Sequence, residues 1–157
     1  MPLTHPVLRW VVVVSAAIVV LVAVIAFGVT EARKAYWDKK VVEMCEQQGG
    51  IKVFQKLQLA PGTYDKLLDE RKRIRLPAET VAKSGDMYQF TLASEFVVTG
   101  DLQIRKVTQR VIQRPELKVL AEQTSFARVG GDLLMPHPTS FACPQPDDMF
   151  EQTFSRG

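Results

Sequence analysis

Residues 10–30, WVVVVSAAIVVLVAVIAFGVT, constrain the chain more than any other stretch. They include no charged residue, and their only polar side chains are Ser15 and Thr30. At a helical rise of about 1.5 Å per residue the stretch spans roughly 30 Å, the thickness of a bilayer's hydrocarbon core. A helix apolar on every side needs apolar surroundings on every side, and a small water-soluble domain has little use for one. The stretch therefore reads as a transmembrane anchor, residues 1–9 as a short tail before it, and the rest of the chain as its cargo. A cleaved signal peptide is the competing reading. Arg9 and the amino terminus supply its positive start, and Val24 and Ala26 could serve at a cleavage site. A signal's apolar region, however, usually runs about 7–15 residues, and this one is longer. No Cys directly follows the stretch, so a lipid-modified amino terminus is not expected.

Of the 157 residues, 127 follow residue 30, a size at which one domain buries a real core. Among the 20 Lys and Arg residues only Arg9 precedes the anchor, and all 17 acidic residues follow it. The domain thus sets 19 positive charges against 17 negative, close to balance, and lacks the concentrated basic face that nucleic acid calls for. Orientation is contested by two features. Arg33, Lys34, Lys39 and Lys40 just after the anchor outnumber Arg9 before it, which favours a cytoplasmic domain. Cys45 and Cys143 flank nearly the whole domain and suit a disulfide, which favours export. Export, with the domain periplasmic on a bacterial inner membrane, is the reading adopted, and a cytoplasmic domain is its alternative.

Residues 31–48 read as a helix continuing out of the membrane, with Trp37, Val41, Met44, Cys45 and Gln48 on one face. Gly49 and Gly50 end it, and that face is expected to pack against a sheet. Alternation over residues 51–59 predicts one half-buried strand, closed by the turn residues Ala60, Pro61 and Gly62. Thr63 is expected to cap a short helix reaching Glu70. Residues 77–87 read as a loop. Tyr88, Phe90, Leu92, Phe96 and Val98 share one parity and predict a strand, kinked at Ser94–Glu95. Over residues 102–113 the apolar parity switches from Leu102 and Ile104 to Val107 and Val111, which predicts a bulge near Lys106. A tight connection at 114–116 leads to a strand over 117–129, so consecutive strands form an antiparallel meander. Prolines 136, 138, 144 and 146 argue against regular structure after Gly130. Asp147 or Asp148 is placed to cap a last short helix carrying Met149, Phe150, Thr153 and Phe154, so residues 145–157 read as a tail or short helix. The fold class expected is α+β: one transmembrane helix, then over residues 31–144 a small domain with an antiparallel sheet of four or five strands covered by one helix.

The chemistry is sparse. His5 lies across the anchor, so His137 is the domain's only imidazole. A nucleophile and base, Cys143 and His137 oriented by Asp132, can be written, as can a zinc set of Cys45, Cys143, His137 and a carboxylate. Neither spacing is diagnostic, no P-loop or nucleophile elbow is present, and no catalytic residue, metal or cofactor is assigned. Arg71, Lys72, Arg73 and Arg75 form the strongest basic run, readable as an anionic-lipid contact or as a solvated loop. Arg128, Gly130, Gly131 and Asp132 stand where a strand gives way to a loop. The glycines allow a sharp turn and Asp132 can accept hydrogen bonds, so a structural role and a ligand or partner site remain open, with His137 close by. A Cys45–Cys143 bond would close a loop of nearly 100 residues and hold down a proline-rich segment that cannot hold itself by backbone hydrogen bonds. In the cytoplasm both would be free thiols.

Three fragments, CEQQGG at 45–50, SFARVGGD at 125–132 and HPTSFACP at 137–144, resemble a group of short uncharacterised bacterial membrane-anchored envelope proteins. These share an amino-terminal apolar segment, a C-E-x-x-G-G helix end and an R-x-G-G-D…H-P-x-x-F-x-C-P signature. The resemblance implies export and pairing of Cys45 with Cys143, and supplies no activity. The expectation is a non-enzymatic accessory or assembly component of an envelope complex, with membrane lipid and another membrane or envelope protein as partners. A periplasmic binding module released by signal cleavage, and a small enzyme using His137 and Asp132, are the alternatives.

Overall fold

The computed structural model describes residues 6–132, 137–143 and 148–157. A single helix, α1 (Pro6–Gln48), runs without a break from the apolar stretch into the domain. Its large apolar side chains from Trp10 to Val29 are 50–71% exposed, and it is long and apolar enough to cross a membrane. That property is compatible with a single-pass anchor or with a signal sequence. Beyond the apolar stretch, the stripe of Trp37, Val41, Met44 and Cys45 packs into the domain, with Val41 fully buried, while Gln48 is exposed.

The fold is α+β. Its main sheet joins β1 (Gly50–Val53), β5 (Lys118–Gly130), β4 (Leu102–Gln113) and β3 (Tyr88–Val98) in that order, all antiparallel, and β6 (Ser140–Ala142) pairs the far end of β5. A second, two-stranded sheet pairs β2 (Leu57–Leu59) in parallel with β7 (Phe154–Arg156). The meander expected from the short turns is therefore present, and five strands make the sheet.

Two covers lie on opposite faces of this sheet, and they explain the parity switch in β4. Residues directly opposed in an antiparallel ladder share a face. Leu102, Ile104 and Lys106 oppose Gly130, Arg128 and Phe126, whereas Val107 and Val111 oppose Ser125 and Ala121 on the other side. The first face carries the core of Val41, Leu102, Ile104, Phe126 and Cys143 beneath α1. The second carries a larger core around Ile74, Leu76, Tyr88, Val111, Leu120, Met149 and Phe154. Against β5 the ladder runs unbroken from Leu102 to Val111, so β4 itself carries no bulge near Lys106; the register shift on its other side, opposite Ile104 and Arg105, puts the extra residue in β3. Against β5 the register shifts between Val111 and Ile112, where Leu120 is passed over. Each half of a long strand buries a different side because each half has a different cover.

Other departures have the same tertiary origin. Residues 51–59 form two strands in two sheets, separated at Phe54, because β1 adds to β5 while β2 leaves to meet β7. The helix α2 (Pro61–Asp65) starts on Pro61 and has no side-chain cap, so Thr63 sits inside it rather than before it. The irregularity in β3 falls between Phe96 and Val98, not at Ser94–Glu95. Ile74 and Leu76, in a segment without strong periodicity, are core residues. Asp148 caps α3 (Met149–Thr153) by accepting from the Phe150 N–H at 3.0 Å; Asp147 lies outside the described residues. With Met149, Thr153 and Phe154 buried, residues 148–157 belong to the domain.

Candidate functional site

The pairings of α1 fix its course over the sheet. Arg33 meets Asp101, Lys34 meets Asp132, Asp38 meets Arg128, and Cys45 is bonded to Cys143, whose N–H donates to the Phe126 carbonyl. From Lys34 to Cys45 the helix thus passes β5 from its last residues back towards Phe126, antiparallel to it. The end of the sheet nearest the apolar stretch is formed by the β3–β4 turn and by the chain leaving β5.

At that end the sequence motif R-x-G-G-D becomes a clamp. Arg128 follows Phe126 on the α1-facing side of β5 and is 4% exposed. Its guanidinium donates from Nε to Asp38, and to the Gly130 carbonyl, with a longer contact of 3.4 Å to Thr139 Oγ1. Gly130 and Gly131 then turn the chain at φ +83° and +85°, conformations a side chain rarely tolerates. A Cβ on Gly130 would stand 2.5 Å from the Asp101 carbonyl, and one on Gly131 would stand 2.9 Å from Leu102 Cδ1. The turn delivers Asp132, whose side chain is 5% exposed, onto Lys34 Nζ at 2.9 Å. It also accepts the Thr139 N–H at 2.6 Å and the Thr139 hydroxyl at 2.9 Å. Lys34 reaches Glu31 at 2.6 Å as well, and Arg33 binds both carboxylate oxygens of Asp101, at 2.7 and 3.0 Å.

The electrostatics follow from these contacts. The Thr139 N–H, then Lys34, hold the Asp132 carboxyl down at about 2 against the opposing effect of desolvation. Lys34 is raised, chiefly by hydrogen bonding to Glu31 and then Asp132, and Asp101 is lowered, chiefly by Arg33. Three cations thus face four carboxylates across the joint between helix and sheet. A disulfide joins Cys45 and Cys143, with Cα atoms 6.3 Å apart, beneath the same helix.

Of the residues singled out, Arg128, Gly130, Gly131 and Asp132 are brought together. His137 is exposed on the segment leading to Thr139. The recorded partners of Asp132 are Lys34 and Thr139, and the bonded cysteines present no thiolate for a nucleophile or a zinc ligand. The basic run lies elsewhere. Asp69 accepts the N–H groups of Arg71 and Arg73 at 2.8 and 2.9 Å and lies 3.4 Å from the Arg75 guanidinium, while Ile74 between them enters the second core. That core sits at the Ala121 end of β5, seven residues or about 23 Å of strand beyond Arg128. The run is therefore at the end of the domain remote from the apolar stretch. Sequence reasoning missed the clamp's other half, Lys34 and Asp38. They extend the apolar stripe of Trp37, Val41 and Cys45, and charged residues on such a stripe are a legible sign of buried partners.

Comparison of the chain with protein-family models, with curated proteins and with solved structures finds no match in any of the three.

Proposed function

We propose that the protein is a single-pass envelope protein of the bacterial inner membrane whose domain faces the periplasm and serves non-enzymatically, as an accessory or assembly component of a membrane complex. One observation carries this reading: the helix bearing the apolar stretch is also the domain's own packing helix, clamped by three sets of ion pairs and a disulfide. Such a joint suits a part that holds a surface at a set position on a membrane. The disulfide favours an oxidising compartment. The cations that argue for a cytoplasmic domain have a folded role of their own, since Arg33, Lys34 and Lys40 pair with Asp101, Asp132 and Glu43. The resemblance to membrane-anchored envelope proteins points the same way.

A membrane-impermeant thiol reagent on intact cells tests the placement. Labelling of Cys45 and Cys143 only after reduction is the expected result; labelling only after lysis, without reductant, overturns it. Release by signal cleavage is the second reading, favoured by Ala26, because cleavage there leaves every clamp residue in place. The amino-terminal sequence of the mature protein separates the two. The enzyme alternative falls if His137→Ala rescues a deletion strain fully.

A further inference from the structure

We propose that the end of the sheet at the β3–β4 turn and the His137–Thr139 segment is a seat on the bilayer, resting among the lipid headgroups that surround α1. This rests on the anchor reading and goes beyond it, because anchoring by itself sets no distance between a domain and the bilayer.

Here no linker exists. The uncharged stretch ends at Thr30, and among the described residues the first ion pair from α1 to the rest of the domain is made by Arg33. Three helical steps separate them, about 4.5 Å of rise. The headgroup layer is about 5–7 Å deep on each side of the hydrocarbon core. Helical side chains lean towards the helix amino terminus, here towards the membrane, so the Arg33 guanidinium and its partner Asp101 sit no farther out than the Arg33 backbone. Thr99 and Gly100 adjoin Asp101 and are exposed. Thr139 is tied to the same end, its N–H donating to Asp132 and its carbonyl accepting from the Gly130 N–H.

A second observation, the spacing of two exposed aromatic residues, points to a similar depth to within a few ångström. Trp10 is 71% and Tyr36 56% exposed, and exposed aromatic side chains of this kind prefer membrane interfaces. The 26 helical steps from one to the other span about 39 Å, close to the 40–45 Å of a whole bilayer with its headgroups. Tyr36 at the outer interface places Arg33 and Lys34 inside it.

The chemistry of the rim says which surface it fits. Arg33 is matched by Asp101 and Lys34 by Asp132 and Glu31, so the rim offers paired charges, small residues and an imidazole rather than an unneutralised basic patch. Such a surface rests on zwitterionic headgroups without needing anionic lipid.

Site-directed spin labelling tests the seat on the full chain reconstituted in vesicles. Labels on Thr99→Cys and, at the remote end, Glu116→Cys are compared in vesicles of phosphatidylcholine and of phosphatidylglycerol. The expected result is a several-fold lower accessibility of the Thr99 label to a water-soluble nickel relaxant than of the Glu116 label, in both lipids. Equal accessibility in a chain that stays with the vesicles through alkaline carbonate overturns the seat and leaves the anchor standing. A difference confined to phosphatidylglycerol overturns the neutral seat. A chain that carbonate strips from the vesicles fails the anchor reading and the seat together.

Discussion

Gly131 shows how narrow the tolerance of the clamp is. Its φ of +85° and the Leu102 methyl 2.9 Å from its would-be Cβ act together, so Gly131→Ala adds both backbone strain and a clash with a core side chain. We expect it to lower stability by about 1–3 kcal/mol, read as a drop in the thermal midpoint of the full chain in detergent. Gly62→Ala, where a Cβ meets nothing within 4 Å, is the control and should change little. Asp132 makes a second prediction through pH. Its folded pKa of about 2 lies below its ordinary 3.8, so its stabilisation is complete above about pH 4 and disappears as pH falls through 2. Asp132→Asn lacks that contribution throughout. The gap in unfolding midpoint between the parent and the variant should therefore be full at pH 6 and shrink as pH falls from 4 towards 2; a constant gap would sink the assignment.

At the scale of elements, α1 and the C-terminal part of the chain depend on one another. β6 is three residues long and its neighbour Cys143 is buried against Phe126, so the disulfide holds a segment with few other ties to α1. With the cysteines 98 positions apart, the chain-entropy model gives about 4–5 kcal/mol, and measured losses for native disulfides run about 2–5 kcal/mol. Reduction should lower the unfolding midpoint of the parent and leave a Cys45→Ser, Cys143→Ser double variant unmoved. The helix, the β3–β5 meander and the capped α3 were readable from the chain because each rests on local periodicity or a local hydrogen bond. β2 and β7 were not, since a three-residue parallel pair between Leu57 and Phe154 has no local signature.

For the molecule as a whole, direction matters. Phe90 donates its N–H outward to Pro77, so the N–H and C=O groups of Leu92, Ser94 and Phe96 likewise point away from β4, and residues 92–97 are all exposed. This open edge is self-complementary: pairing about Ser94 would set Leu92 against Phe96 of a second copy. The two-fold axis of such a pair stands perpendicular to the sheet, and α1 runs along the strands, so the two helices would point in opposite directions. Copies anchored in one bilayer cannot pair this way. A Ser94→Cys variant should give no inter-chain cross-link through that position in membranes, and formation of one there would contradict the course assigned to α1.

Length and periodicity act between near neighbours, and they alone determined an apolar helix long enough to cross a membrane, the stripe that continues it, the three long strands and the cysteine pair that brackets the sheet. Tertiary structure decided that the sheet is covered on opposite faces at its two ends, that residues 148–157 complete the second core, and that Lys34 and Asp38 meet Asp132 and Arg128. Those partners lie 98 and 90 residues apart, and no local pattern carries the information that they meet. The charge of each residue is written in the chain; the pairing of those charges at the joint is a property of the fold.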